Sequence, residues 1–127
     1  MTKTCASLTT LILLFACGAP IDGLTDDTDT QQVISVASFN IQVFGRAKRA
    51  EPDVMAVLVQ IADTFDIMAI QEIRDSSLET PGVYLDAMNG VGQETHRMVV
   101  GPRLGRSSSK EQYAFYYDAN VVSLVGE

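Results

Sequence analysis

Asn40 and Glu72 stand at the ends of two short apolar runs, VISVASFN at Val33 to Asn40 and DIMAIQ at Asp66 to Gln71. An amide oxygen and a carboxylate are hard donors. A small divalent cation such as Mg²⁺ takes donors of this kind while keeping several of its waters. With a cation between them, such a pair neutralises a phosphodiester and polarises it for attack. Arg74 follows Glu72 by two residues, and Arg106 and Glu111 lie together farther along the chain. An arginine taken alone ordinarily ends in a surface salt bridge. Spacing alone therefore favours structural roles for all of these residues, since Asn and Glu end many strands.

Elements must bring these groups together. The run Val33 to Asn40 is β-branched and apolar, as a buried strand is. Gly45 to Ala50 reads as a basic loop. Pro52 suits the first turn of a helix, where its missing N–H costs nothing. Val54, Val57, Leu58, Ile61 and Phe65 then follow helical spacing, and Asp66 to Gln71 reads as a second strand. Strand, helix, strand predicts a parallel βαβ unit, which carries Asn40 and Glu72 to the same edge of the sheet. Ligands of open α/β sheets gather at that edge. Thr80-Pro81 offers a cap and a first helical position, and Asn89-Gly90 a stop. Strands are expected at Thr95 to Val100, at Gln112 to Tyr117 and, after a turn at Asp118 to Asn120, at Val121 to Val125. Gly101 to Lys110 is a loop rich in Gly, Pro, Ser and Arg.

The chain of 127 residues is short enough for at most one domain, and its net charge of −7 does not suit a simple nucleic-acid coat. That charge is uneven. Asp22, Asp26, Asp27 and Asp29 crowd one stretch, while the bases cluster as Arg46, Lys48 and Arg49 and as Arg97, Arg103, Arg106 and Lys110. Local basic patches hold polyanions even on an acidic body, although solvated loops account for charge clusters equally well. Residues 1–16 read as a lipoprotein-type signal peptide: Lys3 flanks an apolar run, Leu8 to Ala16, too short to span a bilayer. Leu14-Phe15-Ala16-Cys17 resembles a lipobox and makes Cys17 the expected lipidation site, with simple secretion as the alternative. Residues 17–32 form an acidic flexible tether, and residues 33–127 the folded body. The body holds no cysteine, so a disulfide framework is excluded there.

Local strings add to this pattern. SFNIQVFG at Ser38 to Gly45 and IQEIRD at Ile70 to Asp75 resemble the first two signature segments of the deoxyribonuclease I-like family of the endonuclease/exonuclease/phosphatase superfamily. LGRSSSKEQYAF at Leu104 to Phe115 resembles that family's next strand and the loop before it. Order and spacing agree along nearly all of the chain after the tether. The resemblance implies an α/β fold, the N-terminal half of a two-sheet, four-layer α/β sandwich. It implies a Mg²⁺-dependent endonuclease acting on DNA, with or without help from Ca²⁺. Position by position, it makes Glu72 a metal ligand and Asn40 a support for metal and phosphate. Glu111 becomes the carboxylate that orients a catalytic histidine, and Arg74 and Arg106 become contacts to the DNA backbone or minor groove.

Departures from the family pattern bear on substrate. Gln42 stands where related enzymes carry a DNA-touching arginine, and Ser109 where they carry a tyrosine that packs in the minor groove. Losing a cation and an aromatic platform weakens duplex engagement. Arg46, Lys48 and Arg49 are expected to compensate in part through phosphates. The single histidine, His96, lies inside a predicted strand and reads as structural. The family's catalytic histidines have no counterpart here, so the chain is expected to be a truncated, inactive piece. Three functions follow: an exported DNA endonuclease, lipid-anchored at the outer membrane or cell surface or else secreted; a phosphodiesterase or phosphatase of the same superfamily acting on a lipid or sugar phosphate; and a non-catalytic polyanion-binding surface module.

Overall fold

A computed structural model of the chain describes residues 32–90, 94–107 and 109–126. The expected leader, Cys17 and the tether up to residue 31 lie outside the described residues. The first apolar run forms β1 (Val36–Phe44), longer at its end than the sequence predicts. A single helical turn, α1 (Arg46–Arg49), replaces the expected basic loop. It forms because Arg49 N–H reaches back to the Gly45 carbonyl at 3.0 Å, and because its lysine and last arginine find anchors described below.

Pro52 opens α2 (Pro52–Ala62) as its first helical residue. Met55, Leu58 and Ala62 face the core, while Val57 is exposed and Phe65 lies beyond the helix end. The buried stripe is thus turned by about one position from the predicted one. β2 (Ile67–Ile73) pairs parallel with β1, from Val36↔Ile67 to Asn40↔Gln71, so α2 is the crossover of the expected βαβ unit.

Next come α3 (Thr80–Asn89), β3 (His96–Val100) and β4 (Gln112–Asp118). The N-cap of α3 is Glu79, not Thr80, and its side chain makes no cap hydrogen bond. Asp75 does that work from five residues upstream: its Oδ2 accepts Thr80 N–H at 3.1 Å and Thr80 Oγ1 at 2.7 Å. β4 runs antiparallel between β2 and β3, giving one mixed sheet of order β1-β2-β4-β3. The fold is α/β, as expected.

The helices cover one face of the sheet. Phe44, Met68, Ile70, Ile73, Ala114 and Tyr116 pack there against Leu58, Ala62, Tyr84 and Met88. Two tyrosines are buried without loss, because Tyr84 donates to the Leu58 carbonyl at 2.7 Å and Tyr116 to the Pro81 carbonyl at 3.1 Å. Their rings meet edge to face, 5.1 Å between centres, and Phe44 meets Tyr84 likewise at 5.5 Å. Burial raises both phenol pKa values.

The other face carries Val36, Val99, Tyr113 and Phe115, all exposed. Asp118 to Val121 turn as predicted, but Val121 to Val125 form no strand. Both edges of β4 are already taken by β2 and β3, which leaves no place beside it for a hairpin return. The tail instead borders the open face, where Val122 to Val125 and Phe115 line one cavity of about 350 Å³. No helix among the described residues is long and apolar enough to cross a membrane.

Candidate functional site

The β1–β2 ladder breaks just where the chemistry was expected. Pairing runs in register to Asn40↔Gln71 and resumes at Phe44↔Ile73, so Ile41, Gln42 and Val43 oppose Glu72 alone. The β2–β4 ladder lapses at the same place, between Ile70↔Ala114 and Ile73↔Gln112. Glu72 therefore sits where both neighbours let go of β2. Its φ is 58°, and Gln42 and Val43 have φ of 50° and 56°. Left-handed backbone at non-glycine residues costs on the order of 1–3 kcal/mol each, most for a β-branched residue, and clusters at functional sites. Bulges of this kind re-aim side chains.

Here the re-aimed side chain is the Glu72 carboxylate. Asn40 Nδ2 donates to Oε1 at 2.9 Å, and Val43 N–H donates to Oε2 at 3.1 Å. Asn40 is itself oriented, since its Oδ1 accepts Gln42 N–H at 2.8 Å. These bonds from Asn40 and then Val43 lower the Glu72 pKa; desolvation opposes them, and the charges of Arg74 and Lys48 add to the lowering. The carboxylate is ionised at neutral pH.

Arg74 leaves β2 two residues later. Its N–H donates to the Phe44 carbonyl at 2.9 Å, which ties the ends of β1 and β2. Gly45 makes this possible: a Cβ there would stand 2.6 Å from the Arg74 carbonyl oxygen. The Arg74 guanidinium lies beside Glu111, Nε to Oε1 3.8 Å, with both side chains about one-third exposed. Such a pair contributes little stability and is open to exchange for an anion. Glu111 is fixed by its backbone, which exchanges two 2.8 Å hydrogen bonds with Leu104. That bridge pins the base of the 101–110 loop, on which Arg106 stands exposed between Gly105 and Ser107, both left-handed.

The structure thus brings Asn40, Glu72, Arg74 and Glu111 to one end of the sheet and sets Arg106 on the neighbouring loop. It separates His96, which pairs with Asp118 at the opposite end. Two of the three bases expected to meet phosphate are engaged elsewhere. Lys48 Nζ donates to the carbonyls of Ile41 and Gln42, each at 2.6 Å. Arg49, whose side chain is 10% exposed, pairs with Glu79 and lies 3.6 Å from Asp75 Oδ2. Arg46 alone of the three remains exposed as expected.

Asp75 and Gly45 are assigned no role by the sequence, and Lys48 only one at phosphate, which its bonds to the Ile41 and Gln42 carbonyls replace. Asp75 joins β2, α1 and α3: besides Thr80 and Arg49 it accepts Ser77 N–H at 2.9 Å and Ser77 Oγ at 2.8 Å. An Asp two residues before a Ser is a local Asx-turn signal. Nothing local marks Lys48.

Among the described residues no group of three or more His, Cys, Asp or Glu is placed to hold a metal. The donors present nevertheless fit a hard cation that keeps most of its waters. Each Glu72 oxygen accepts one hydrogen bond and retains a free lone-pair direction. Asn40 presents its amide nitrogen to Glu72, which makes it an orienting group for that carboxylate in this arrangement.

Comparison with known proteins agrees with the motifs. Over 92 residues, 72% of the chain, it is 41% identical to deoxyribonuclease-1 of Homo sapiens and of Mus musculus, and 39% identical to deoxyribonuclease-1 of Bos taurus. The aligned stretch is 33%, 32% and 33% of those relatives, so the chain spans about a third of the length of the curated relatives it matches. No family model matches the chain.

Proposed function

Because the chain belongs to the deoxyribonuclease I-like family, we propose that its Glu72 corner is the metal- and phosphate-holding part of an enzyme that hydrolyses DNA phosphodiester bonds. The observation that carries this is Glu72 itself, a strained, ionised carboxylate aimed by Asn40 and Val43 where two ladders lapse together. Glu72 would hold Mg²⁺, with or without Ca²⁺ elsewhere. A cation bound there supplies Lewis-acid polarisation of a phosphoryl oxygen. Asn40 keeps the carboxylate in place. Arg74 exchanges its partly exposed Glu111 partner for a backbone phosphate, and Arg106 reaches the same strand from its loop. Glu111, released, would be free to orient a water-activating histidine, the role that the family resemblance gives this carboxylate. His96, at the far end of the sheet, is not that histidine.

The test is supercoiled plasmid with the purified gene product, with Mg²⁺ or with EDTA, beside vesicles of a phosphoinositide and a sugar phosphate. Nicked circles that appear only with Mg²⁺ are the expected result. Hydrolysis of lipid or sugar phosphate with intact plasmid would assign another substrate of the same superfamily. Retarded but uncut plasmid would make the protein a polyanion-binding module. Export and anchoring through Cys17 are proposed on the leader motif alone. Cys17→Ser is expected to move the protein from the membrane pellet to the soluble extracytoplasmic fraction, and labelled fatty acid that still enters this variant would refute Cys17 as the anchor.

A further inference from the structure

Lys48 is bonded as a structural cation although it stands in a run of bases with Arg46 and Arg49. Its ammonium holds the Ile41 and Gln42 carbonyls at 2.6 Å each. Both carbonyls lie in the stretch that the β1–β2 ladder skips. Two consecutive left-handed residues follow there, one of them β-branched, and such a turn persists only when its surroundings fix it. The turn's own side chains do not fix it: Ile41 and Phe44 on either side are buried, but Val43 is 47% exposed, and the turn borders a cavity of about 360 Å³ lined by Gln42, Val43, Ala47, Lys48, Glu51 and Val54. What the turn delivers is the Val43 N–H against Glu72 Oε2.

We propose that Lys48 is the positioning residue of the Glu72 carboxylate. Through the Ile41 and Gln42 carbonyls it fixes the left-handed turn that aims Val43 N–H at Oε2, and so sets the direction in which the remaining lone pairs of Glu72 face a divalent cation. Only the cation in this account rests on the proposed function; the turn does not.

The experiment compares the wild-type gene product with Lys48→Met, Lys48→Gln and Lys48→Arg. Amide hydrogen exchange is read at Val43, Ile70 and Ala114 without metal, and Mn²⁺ binding is read by calorimetry. Lys48→Met is expected to speed Val43 exchange about ten-fold while leaving Ile70 and Ala114 unchanged, and to weaken Mn²⁺ binding roughly ten-fold, as loss of a group that orients a ligand does. Lys48→Arg, which can still donate to both carbonyls, restores most of each. Lys48→Gln, with one short donor group, falls between and serves in its place if the methionine variant does not fold. Unchanged Val43 exchange overturns the proposal. So does equal acceleration at all three amides, which would make Lys48 a general stabiliser. A wild-type protein that binds no Mn²⁺, yet whose Val43 amide responds as stated, removes the metal reading of Glu72 and leaves the positioning role standing.

Discussion

Glu72→Gln is expected to cut Mg²⁺-dependent plasmid nicking by roughly 10²-fold or more, the scale set by losing a Lewis acid at the reacting phosphate. The substitution keeps size and shape and removes only the charge and one acceptor. A neutral amide presents one oxygen and one NH₂ group. Its NH₂ would face either Asn40 Nδ2 or Val43 N–H, donor against donor, where Glu72 now accepts from both. The carboxylate's hold and its affinity for a hard cation are thus lost together. The fold should survive, because both donors lie in an exposed part of the site and water can satisfy them. Asn40→Ala is expected to weaken cleavage less, since it loosens the carboxylate without removing it. The readouts are initial nicking rates and the urea midpoint of each variant. Wild-type nicking by a folded Glu72→Gln protein would sink the assignment of Glu72.

What the sequence made legible follows from how strongly each element is marked. The apolar runs of β1, β2 and β4 and the two prolines that open or nearly open α2 and α3 are local signals, and the structure places those elements close to the expected positions. The strings around Asn40, Glu72 and Glu111 mark residues that the structure brings to one end of the sheet. The shape of that corner was not readable. Gln42, Val43 and Glu72 take left-handed backbone with no glycine or asparagine among them, and valine is among the residues least suited to it. Tertiary bonds, not local preference, hold them there. The one-turn helix Arg46–Arg49 has no buried residue and so no periodicity to detect. Its bases look like a phosphate patch because composition shows a charge but not the carbonyl or carboxylate waiting for it. At Val121 to Val125 the β-branched pattern was real, but strand formation needs a free ladder edge, which no pattern within the segment reveals.

Asp75→Ala is expected to destabilise the protein by about 3 kcal/mol, near the lower end for removing one partner from a buried charged cluster. Asp75 is 5% exposed and accepts from Ser77 and Thr80 while lying beside Arg49. Alanine strips Thr80 N–H and Oγ1 of their acceptor at the start of α3, in a buried setting, and leaves the Arg49 guanidinium with Glu79 and the Ser77 hydroxyl. The acid limb of stability should change with it. Burial pushes the Asp75 carboxyl pKa up, but the hydrogen bonds from Thr80 and Ser77 outweigh it and hold the pKa well below the usual carboxylate range. A folded-state pKa below the unfolded value, about 3.9 for Asp, gives stability that is fully present above that value. It is lost as pH falls toward the folded pKa. Wild-type protein should therefore lose stability steadily below about pH 4, and Asp75→Ala should lack this part of the slope. Urea unfolding at neutral pH and at several values below pH 4 reads both effects. Because Asp75 follows Arg74 directly and ties the end of β2 to α1 and α3, Arg74 should lose its register against Phe44 and Glu111 in the same variant. Nicking should then fall even at temperatures where the variant is fully folded. An unchanged urea midpoint, or an acid slope identical to wild type, would show that α1 and α3 are held to the site by contacts other than Asp75.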